Sequence, residues 1–308
     1  MILRPVETLE IATSDAFPVR GHLYLPEGMP PAGIVVLCHG FKGYKTWGFF
    51  PYVAQALRDR GIAALSIDFS MNGTHPERAE AGEPSDDLGD TNTLREKPSR
   101  YPRPDLFRLN TVAREESDLE HVIRAITEGR LAEYTGTALP LGLFGHSRGA
   151  VAVILNAIEH DSVRAICTWS APENLDFFTQ RQKTMWHETE SLDLTAPDGT
   201  ELSMSVSYLD DLERNRDVYD LPRRVENMRT PHLIVHGSMD LTVRVSAAHV
   251  LHRAQSGGGD KKLLILQTGH TFGISEGAEP GEIPPSPALV RATTATVEWF
   301  EKHFWKGR

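Results

Sequence analysis

Residues 141–156 read LGLFGHSRGAVAVILN, and this stretch decides the fold. Its first half is apolar without alternation, which predicts a strand covered on both faces. Its second half, after Gly149, is an apolar run with the length of a helix. Ser147 therefore lies at a sharp turn between a buried strand and a helix. The glycines on either side, Gly145 and Gly149, allow the backbone to pass close to neighbouring elements, where a Cβ atom would clash.

The five residues 145–149, GHSRG, fit the pattern G-x-S-x-G in the strand–turn–helix context that the pattern requires. Such a turn holds the Ser147 hydroxyl above the carboxyl edge of the sheet, with the N-terminus of a helix behind it. The bare pattern also occurs by chance, so a purely structural serine is the alternative. The buried strand before it and the apolar helix after it favour a catalytic serine.

Strand-like and helix-like runs alternate along most of the remaining sequence. Two N-terminal runs, LEIAT and VRGHLYLPEG, resemble antiparallel strands. The later strands are followed by helix-length segments, which predicts a mostly parallel sheet with right-handed crossovers. The runs assigned to these later strands are GIVVLCHG, IAALSIDFS, LPLGLFGHS, VRAICTWS, PHLIVHG and KKLLILQ.

Two segments interrupt the alternation. Residues 71–110 are polar and rich in Pro, Arg, Asp and Gly, and they are too long for a simple turn. We expect an ordered excursion over the surface, beside the functional site. Residues 171–230 contain a charged helical stretch, a hairpin-like segment LDLTAPDGTELSMSVSYL and a second charged helix.

The composition is that of an ordinary globular protein. The 308 residues carry a net charge of -10 with no basic block, which argues against nucleic acid or an anionic membrane as a partner. Cys38 and Cys167 each lie in an apolar run, which predicts buried thiols and a reducing compartment. No apolar stretch approaches the roughly 20 residues needed to span a bilayer, and the first residues do not resemble a signal peptide. We therefore expect a cytoplasmic protein.

A serine nucleophile needs a base, and the base needs a group that fixes its tautomer. His270 follows the strand KKLLILQ and Asp240 follows the strand PHLIVHG, so both are expected at the same sheet edge as Ser147. The alternatives are that Asp240 is a turn or cap residue and that His270 is one of many histidines in loops. Asp210 and Asp211 are rival acids, but they do not follow a core strand.

Acyl transfer also needs hydrogen-bond donors for the developing oxyanion. The backbone N–H of Arg148, directly after the nucleophile, is one candidate. The loop after GIVVLCHG supplies the other, and we choose the N–H of Phe41. Packing of the Phe41 side chain into the core is compatible with this role, because the donor belongs to the backbone.

Taken together, HGFKGYKTWGFFP, SIDFS, GHSRG, VHGSMD and GHTF resemble the successive strand-end motifs of the α/β-hydrolase superfamily. The similarity is greatest to its carboxylesterase and feruloyl-esterase-like branch, which includes dienelactone-hydrolase-type proteins. The resemblance implies a mostly parallel eight-stranded sheet with helices on both faces. It also implies a core of residues 1–170 and 231–308, with a small cap of residues 171–230 inserted after the sixth core strand. Dienelactone hydrolases have cysteine as the nucleophile, and Ser147 departs from them.

The expected function is that of a serine hydrolase cleaving small-molecule carboxylic esters through Ser147, His270 and Asp240, with Phe41 and Arg148 as oxyanion donors. No His/Cys/Asp cluster at ligand spacing calls for a metal or a cofactor. A serine peptidase, an acyltransferase and a non-catalytic ligand-binding protein of the same fold are the alternatives. The sequence leaves open a homodimer.

Substrate preference is the least constrained property. Aromatic residues in and before the inserted segment could receive an acyl or aryl group, and packing of the segment onto the sheet is the competing interpretation. Positive residues near the expected mouth could attract an acidic substrate, although solvation at the surface explains them equally simply. The aromatic candidates are Trp169, Phe177, Trp186 and Tyr208, and the cations are Lys42, Lys45 and Arg148.

Overall fold

The apolar run that precedes Ser147 forms a central strand of an eight-stranded sheet. A computed structural model describes residues 7–74, 100–135, 139–196, 198–274 and 284–305. Its strands are β1 (Glu7–Ile11), β2 (Val19–Tyr24), β3 (Ile34–Cys38), β4 (Ala63–Asp68), β5 (Leu141–His146), β6 (Val163–Trp169), β7 (Ser191–Thr195), β8 (Glu201–Ser205), β9 (His232–Gly237) and β10 (Lys261–Leu266). The order in the large sheet is β1-β2-β4-β3-β5-β6-β9-β10.

Strand direction follows the pattern expected from the sequence. The strands β1, β2 and β4 pair antiparallel with one another in that order, and β4, β3, β5, β6, β9 and β10 pair in parallel. Every residue of β3, β4 and β5 is buried, because helices cover both faces of these central strands. The prediction of a mostly parallel eight-stranded sheet is confirmed.

Helices form a layer on each face of the sheet. The helices are α1 (Phe50–Asp59), α2 (Pro104–Leu109), α3 (Val112–Thr127), α4 (Ala132–Thr135), α5 (Arg148–Glu159), α6 (Gln180–Thr189), α7 (Val206–Arg214), α8 (Leu221–Val225), α9 (Ser246–Ala254) and α10 (Pro287–Trp305). Apolar residues of α1 and α10 pack together in one core, and those of α3 and α5 belong to the other. The sheet is thus enclosed between two hydrophobic cores.

The inserted segment, residues 171–230, contributes α6, the hairpin β7–β8, α7 and α8. The hairpin forms a separate two-stranded sheet that ends at Ser205. The last residues of the hairpin-like sequence, VSYL, instead begin α7, because the Ser205 side chain caps that helix. The inserted segment shares one hydrophobic core with α3 and α5, and α8 packs against α5 and α9. Its treatment as a separate cap stays a prediction.

The polar excursion predicted for residues 71–110 is described only at its two ends. Residues 75–99 lie outside the described residues, whereas α2 and the residues just before it pack beside the loop that follows β3. Cys38 and Cys167 are both buried free thiols, as predicted, and burial raises the pKa of Cys167 to about 12. Among the described helices, none is both long enough and apolar enough to cross a bilayer.

Candidate active site

Ser147 is held in a strained backbone conformation between β5 and α5. Its φ of 53° and ψ of −123° lie outside the regions that non-glycine residues normally occupy. The flanking glycines are required by close backbone contacts. A Cβ atom at Gly145 would lie 2.6 Å from Ala150 Cα, and one at Gly149 would lie 2.3 Å from the His39 carbonyl oxygen. The close backbone packing at this turn is possible only because residues 145 and 149 lack a Cβ atom.

The sheet brings the three predicted catalytic side chains to one edge. Parallel neighbours are in register at their carboxyl ends, as the pairs Cys38–Gly145 and Leu266–Gly237 show. Ser147 follows β5, Asp240 follows β9 and His270 follows β10, so each lies beyond the carboxyl end of its strand. Ser147 and His270 line the same cleft.

Asp240 binds the imidazole of His270 and is itself held by the backbone. His270 Nδ1 lies 2.8 Å from Asp240 Oδ2, so Nδ1–H donates to the carboxylate. Asp240 Oδ1 accepts hydrogen bonds from the N–H groups of Thr242 and Val243, each at 2.9 Å. This arrangement fixes the tautomer of His270 and leaves Nε2 as the ring nitrogen that can accept a proton.

The Asp240 carboxylate is ionised although it is buried. Burial alone would raise its pKa, but the hydrogen bonds and positive potential from His270, together with the Val243 N–H, outweigh burial and hold the pKa below its usual value. His236 supports the same loop, since its Nε2–H donates to the Val243 carbonyl oxygen at 2.9 Å. His236 thus helps to hold the loop that carries Asp240.

The loop after β3 lies directly against the serine. A Cβ atom at Gly40 would be 2.9 Å from Ser147 Cβ, so the backbone of this loop touches the nucleophile turn. Phe41, in the same loop, lines the cleft with Ser147. Arg148 is the first residue of α5, and the first N–H groups of a helix have no intrahelical acceptor. The two N–H groups chosen as oxyanion donors thus lie on the two elements that flank the serine.

Solved structures with the same arrangement of strands and helices cover nearly the whole chain. The chain has the α/β-hydrolase fold. Est1E from Butyrivibrio proteoclasticus, with bound ferulic acid, has a TM-score of 0.63 at 19% identity over 97% of this chain and all of that one. The esterase domain of a Rhodothermus marinus protein has a TM-score of 0.59 at 20% identity over 97% and 98%. The dienelactone hydrolase of Anabaena variabilis has a TM-score of 0.56 at 19% identity over 96% and 97%. No protein-family model and no curated protein sequence matches the chain.

His146 is a buried residue of the site that the sequence did not single out. Its Nε2–H donates to the backbone carbonyl oxygen of His270 at 3.0 Å, and its ring stacks on Trp47 with centroids 5.7 Å apart. Burial and the neighbouring His270 lower the pKa of His146 to about 3, so the ring is neutral. The only sequence signal is its place inside GHSRG, where the α/β-hydrolase fold directs the strand end towards the site.

The cations expected at the mouth are mostly neutralised. Lys45 forms an ion pair with Asp68. Arg148 is not a surface residue but is buried in an ion pair with Glu115 of α3. Lys42 lines the cleft, and its Nζ lies 3.5 Å from the carbonyl oxygen of Thr195. Of these three cations, Lys42 alone forms no ion pair within the described part of the chain.

The contacts of the four aromatic candidates favour packing over substrate binding. None is among the described residues that line the cleft of Ser147. Trp169 is buried, and its Nε1–H donates to Thr296 Oγ1 at 3.0 Å. Trp186 is buried with its Nε1–H on the Met204 carbonyl oxygen, and Tyr208 stacks on its ring. Phe177 is 74% exposed.

The acids that competed with Asp240 have other partners or positions. Asp211 accepts hydrogen bonds from Tyr219 Oη and from the N–H of Ala113 at the start of α3. Its contacts tie α7 to the start of α3. Within the described residues, no group of three or more His, Cys, Asp or Glu side chains is placed to hold a metal ion.

Proposed function

We propose that the protein is a serine hydrolase that cleaves carboxylic esters through an acyl-enzyme on Ser147. The observation that carries this proposal is the 2.8 Å hydrogen bond between Asp240 and His270, whose ring lines the cleft beside the strained serine. A base with a fixed tautomer, next to a hydroxyl at a strand–helix turn, is the arrangement that activates a serine nucleophile.

The geometry supports the following sequence of steps. His270 Nε2 accepts the hydroxyl proton of Ser147 while Oγ attacks the ester carbonyl carbon. The N–H groups of Phe41 and Arg148 donate to the oxyanion of the tetrahedral intermediate. The C–O bond to the alcohol breaks, and His270 gives its proton to the departing oxygen. A water molecule then loses a proton to His270 and attacks the acyl carbon. The bond between that carbon and Oγ breaks, His270 returns the proton to Oγ, and the acid leaves.

Asp240 stabilises the charged state of His270 during both halves of the reaction. Its low pKa keeps the carboxylate ionised across the neutral range, so that it stabilises the imidazolium as it forms. The neutral ring of His146 adds a hydrogen bond to the His270 backbone without adding a competing positive charge.

The size of the cleft suggests a small acyl group. The cavity volume bounded by the described residues beside Ser147 is about 50 Å³, below the roughly 300 Å³ at which typical ligand pockets begin. We therefore propose short-chain acyl esters, with the alcohol part directed outwards. The solved neighbours named as esterases support ester chemistry, and the ferulic acid bound by Est1E makes aryl esters a useful comparison.

Turnover of p-nitrophenyl acetate by purified protein tests the proposal. We expect Ser147→Ala to remove nearly all turnover, whereas Ser162→Ala, which changes an exposed serine, keeps it. We also expect p-nitrophenyl acetate to be cleaved with a higher kcat/KM than p-nitrophenyl octanoate. Undiminished turnover in Ser147→Ala would refute the nucleophile, and a preference for octanoate would refute the short acyl group.

The alternative activities give different results in the same samples. A serine peptidase cleaves aminoacyl-naphthylamides, and an acyltransferase gives more ester than acid when a second alcohol is present. A non-catalytic binding protein turns over none of these substrates.

A further inference from the structure

The side chain of Arg148 is buried beneath the proposed oxyanion site. It is 8% exposed, and it forms a two-pronged ion pair with Glu115 of α3, with Nε to Oε2 at 3.0 Å and Nη2 to Oε1 at 2.5 Å. Asn110 Nδ2 donates a further hydrogen bond to Glu115 Oε1 at 2.8 Å. The cation is therefore anchored to α3 in a fixed geometry.

Two aromatic rings lie on this anchored cation. The centroid of Phe41 is 4.5 Å from the guanidinium carbon of Arg148, and the centroid of Tyr208 is 5.6 Å from it. Both distances are within the range of a cation–π interaction, which is strongest where water is excluded. We call Arg148, Glu115, Phe41 and Tyr208 the guanidinium cluster. It joins the loop after β3, the nucleophile turn, α3 and α7.

The Arg148 guanidinium stays charged although it is buried, because the Glu115 carboxylate is bound to it. Burial alone would lower the pKa of Arg148, but Glu115 outweighs burial and raises it, so the guanidinium stays charged. Removing one partner of a buried pair is strongly destabilising, since an unpaired charge remains inside the protein. The position of the guanidinium is thus set by Glu115 of α3, and we do not expect it to change when a substrate binds.

On either side of Phe41, the backbone of the loop after β3 is held by hydrogen bonds. His39 Nδ1–H donates to the Gly40 carbonyl oxygen at 2.8 Å, and the Gly43 N–H donates to the same oxygen at 3.0 Å. Tyr101 Oη donates to the Lys42 carbonyl oxygen. Phe41 lies between these anchored residues, and its ring contacts Arg148 and Phe107.

We propose that the Arg148 side chain is a positioning residue for the oxyanion site. By holding the Phe41 ring, it fixes the Phe41 N–H relative to Ser147, while its own backbone N–H is the other donor. Tyr208 of α7 contacts the same cation. The positions of the two donor N–H groups therefore also depend on how the inserted segment, residues 171–230, packs against the rest of the fold. This inference rests on the ester hydrolysis proposed above.

A direct role in binding an acidic substrate fits Arg148 less well. Two of its nitrogen atoms already bind Glu115, and little of its surface reaches solvent. Loss of one oxyanion donor lowers kcat by about 10²–10³-fold, and a displacement near 1 Å can cost about 100-fold in rate. A residue that fixes such a donor therefore affects kcat without touching the substrate.

Kinetics of cluster variants, combined with a transition-state analogue, test this role. We expect Phe41→Leu, which removes the ring and keeps the backbone, to lower kcat for p-nitrophenyl acetate by about 10-fold or more with KM little changed. The Ki of a trifluoromethyl ketone, which forms the oxyanion adduct, rises by a similar factor. Phe41→Tyr keeps the ring and is expected to lose much less activity than Phe41→Leu. Phe178→Leu is the matched control, because Phe178 packs edge-to-face against Trp186 and lies outside the guanidinium cluster.

The pair Arg148→Met and Glu115→Leu removes both charges at once, so that no unpaired charge stays buried. If this double variant melts cooperatively and shows the same loss in kcat and in analogue affinity, the positioning role is supported. A folded double variant with wild-type kcat, or a loss of kcat without weaker analogue binding, overturns it. Failure of the ester hydrolysis itself is recognised separately, since wild-type protein would then show no turnover.

Discussion

His270 Nδ1 lies 2.8 Å from Asp240 Oδ2, and the backbone N–H groups of Thr242 and Val243 hold the other carboxylate oxygen. The two side chains come from loops after adjacent parallel strands, so the sheet itself brings them together. The hydrogen bond selects one tautomer of His270, and the proposed chemistry of Ser147 depends on that selection.

Asp240→Asn tests this relationship. The amide keeps the shape of the side chain but removes its charge and no longer favours the Nδ1–H tautomer, so we expect kcat to fall by roughly 10³–10⁴-fold. KM changes little, because Asp240 is buried behind His270. Asp210→Asn serves as the control, since Asp210 is an acid of α7 that does not follow a core strand. A similar loss in both variants would argue against a specific role for Asp240.

Two glycines near the site differ in how closely other atoms approach them. A Cβ atom at Gly237 would lie 2.3 Å from the Thr268 carbonyl oxygen, whereas one at Gly269 would meet only Met239 O, at 3.9 Å. We expect Gly237→Ala to destabilise the fold by about 1–3 kcal/mol and Gly269→Ala to have little effect. Urea unfolding of the two variants measures both values. Equal stabilities would show that β9 and β10 are less tightly joined than the structure indicates.

Acid is expected to destabilise the protein through buried neutral histidines. Burial lowers the pKa of His146 and His232 to about 3, and it also lowers that of His39. The unfolded chain, whose histidines titrate near 6.5, therefore binds more protons than the folded one, so stability falls as the pH drops below about 6.5. Between pH 7.5 and 5.5 each fully buried histidine contributes about 1.4 kcal/mol to this loss.

Urea unfolding at several pH values measures this loss. We expect His232→Gln to reduce the loss of unfolding free energy between pH 7.5 and 5.5 by the contribution of one buried histidine. This reduction does not depend on how much the substitution changes stability at neutral pH. A free energy of unfolding that stays constant from pH 7.5 to 5.5 would contradict the assignment of these rings as neutral.

The Lys42 amine could make the cleft prefer negatively charged substrates, and this preference can be tested. Its amine lines the cleft without an ion pair in the described parts of the chain, whereas Lys45 and Arg148 are paired. Partly exposed charge pairs contribute about 0.2–1 kcal/mol, so Lys42→Gln should lower kcat/KM for a carboxylate-bearing ester by up to about fivefold relative to a neutral ester. Lys262→Gln, near the far end of β10, is the control. An unchanged ratio of the two kcat/KM values would show that Lys42 does not select charge.

Much of the fold follows from local sequence patterns. The run before Ser147 is apolar without alternation because both faces of β5 are covered, and Gly145 and Gly149 mark the turn because neighbouring backbone leaves no room for a Cβ atom. In a parallel sheet, residues that follow successive strands share one edge. The approximate positions of Asp240 and His270 were therefore predictable before their contacts were known.

Contacts between distant elements were not predictable in the same way. Glu115 and Arg148 are 33 residues apart, and they meet only because α3 and α5 pack on the same face of the sheet. A charged residue after a nucleophile is, from sequence alone, indistinguishable from a surface residue. Likewise, His146 reaches the His270 carbonyl oxygen only in the folded sheet. Tyr208 was chosen as an aromatic near the site, but its contact with a buried cation depends on how α7 packs.

Site-resolved labelling with a fluorophosphonate measures most directly whether Ser147 is an activated nucleophile served by His270. Wild-type protein is expected to gain one adduct, located by mass spectrometry on the peptide that contains Ser147. His270→Ala should react at least about 100-fold more slowly, because no base then accepts the hydroxyl proton. An adduct on another residue, or equal labelling rates with and without His270, would contradict the proposed chemistry.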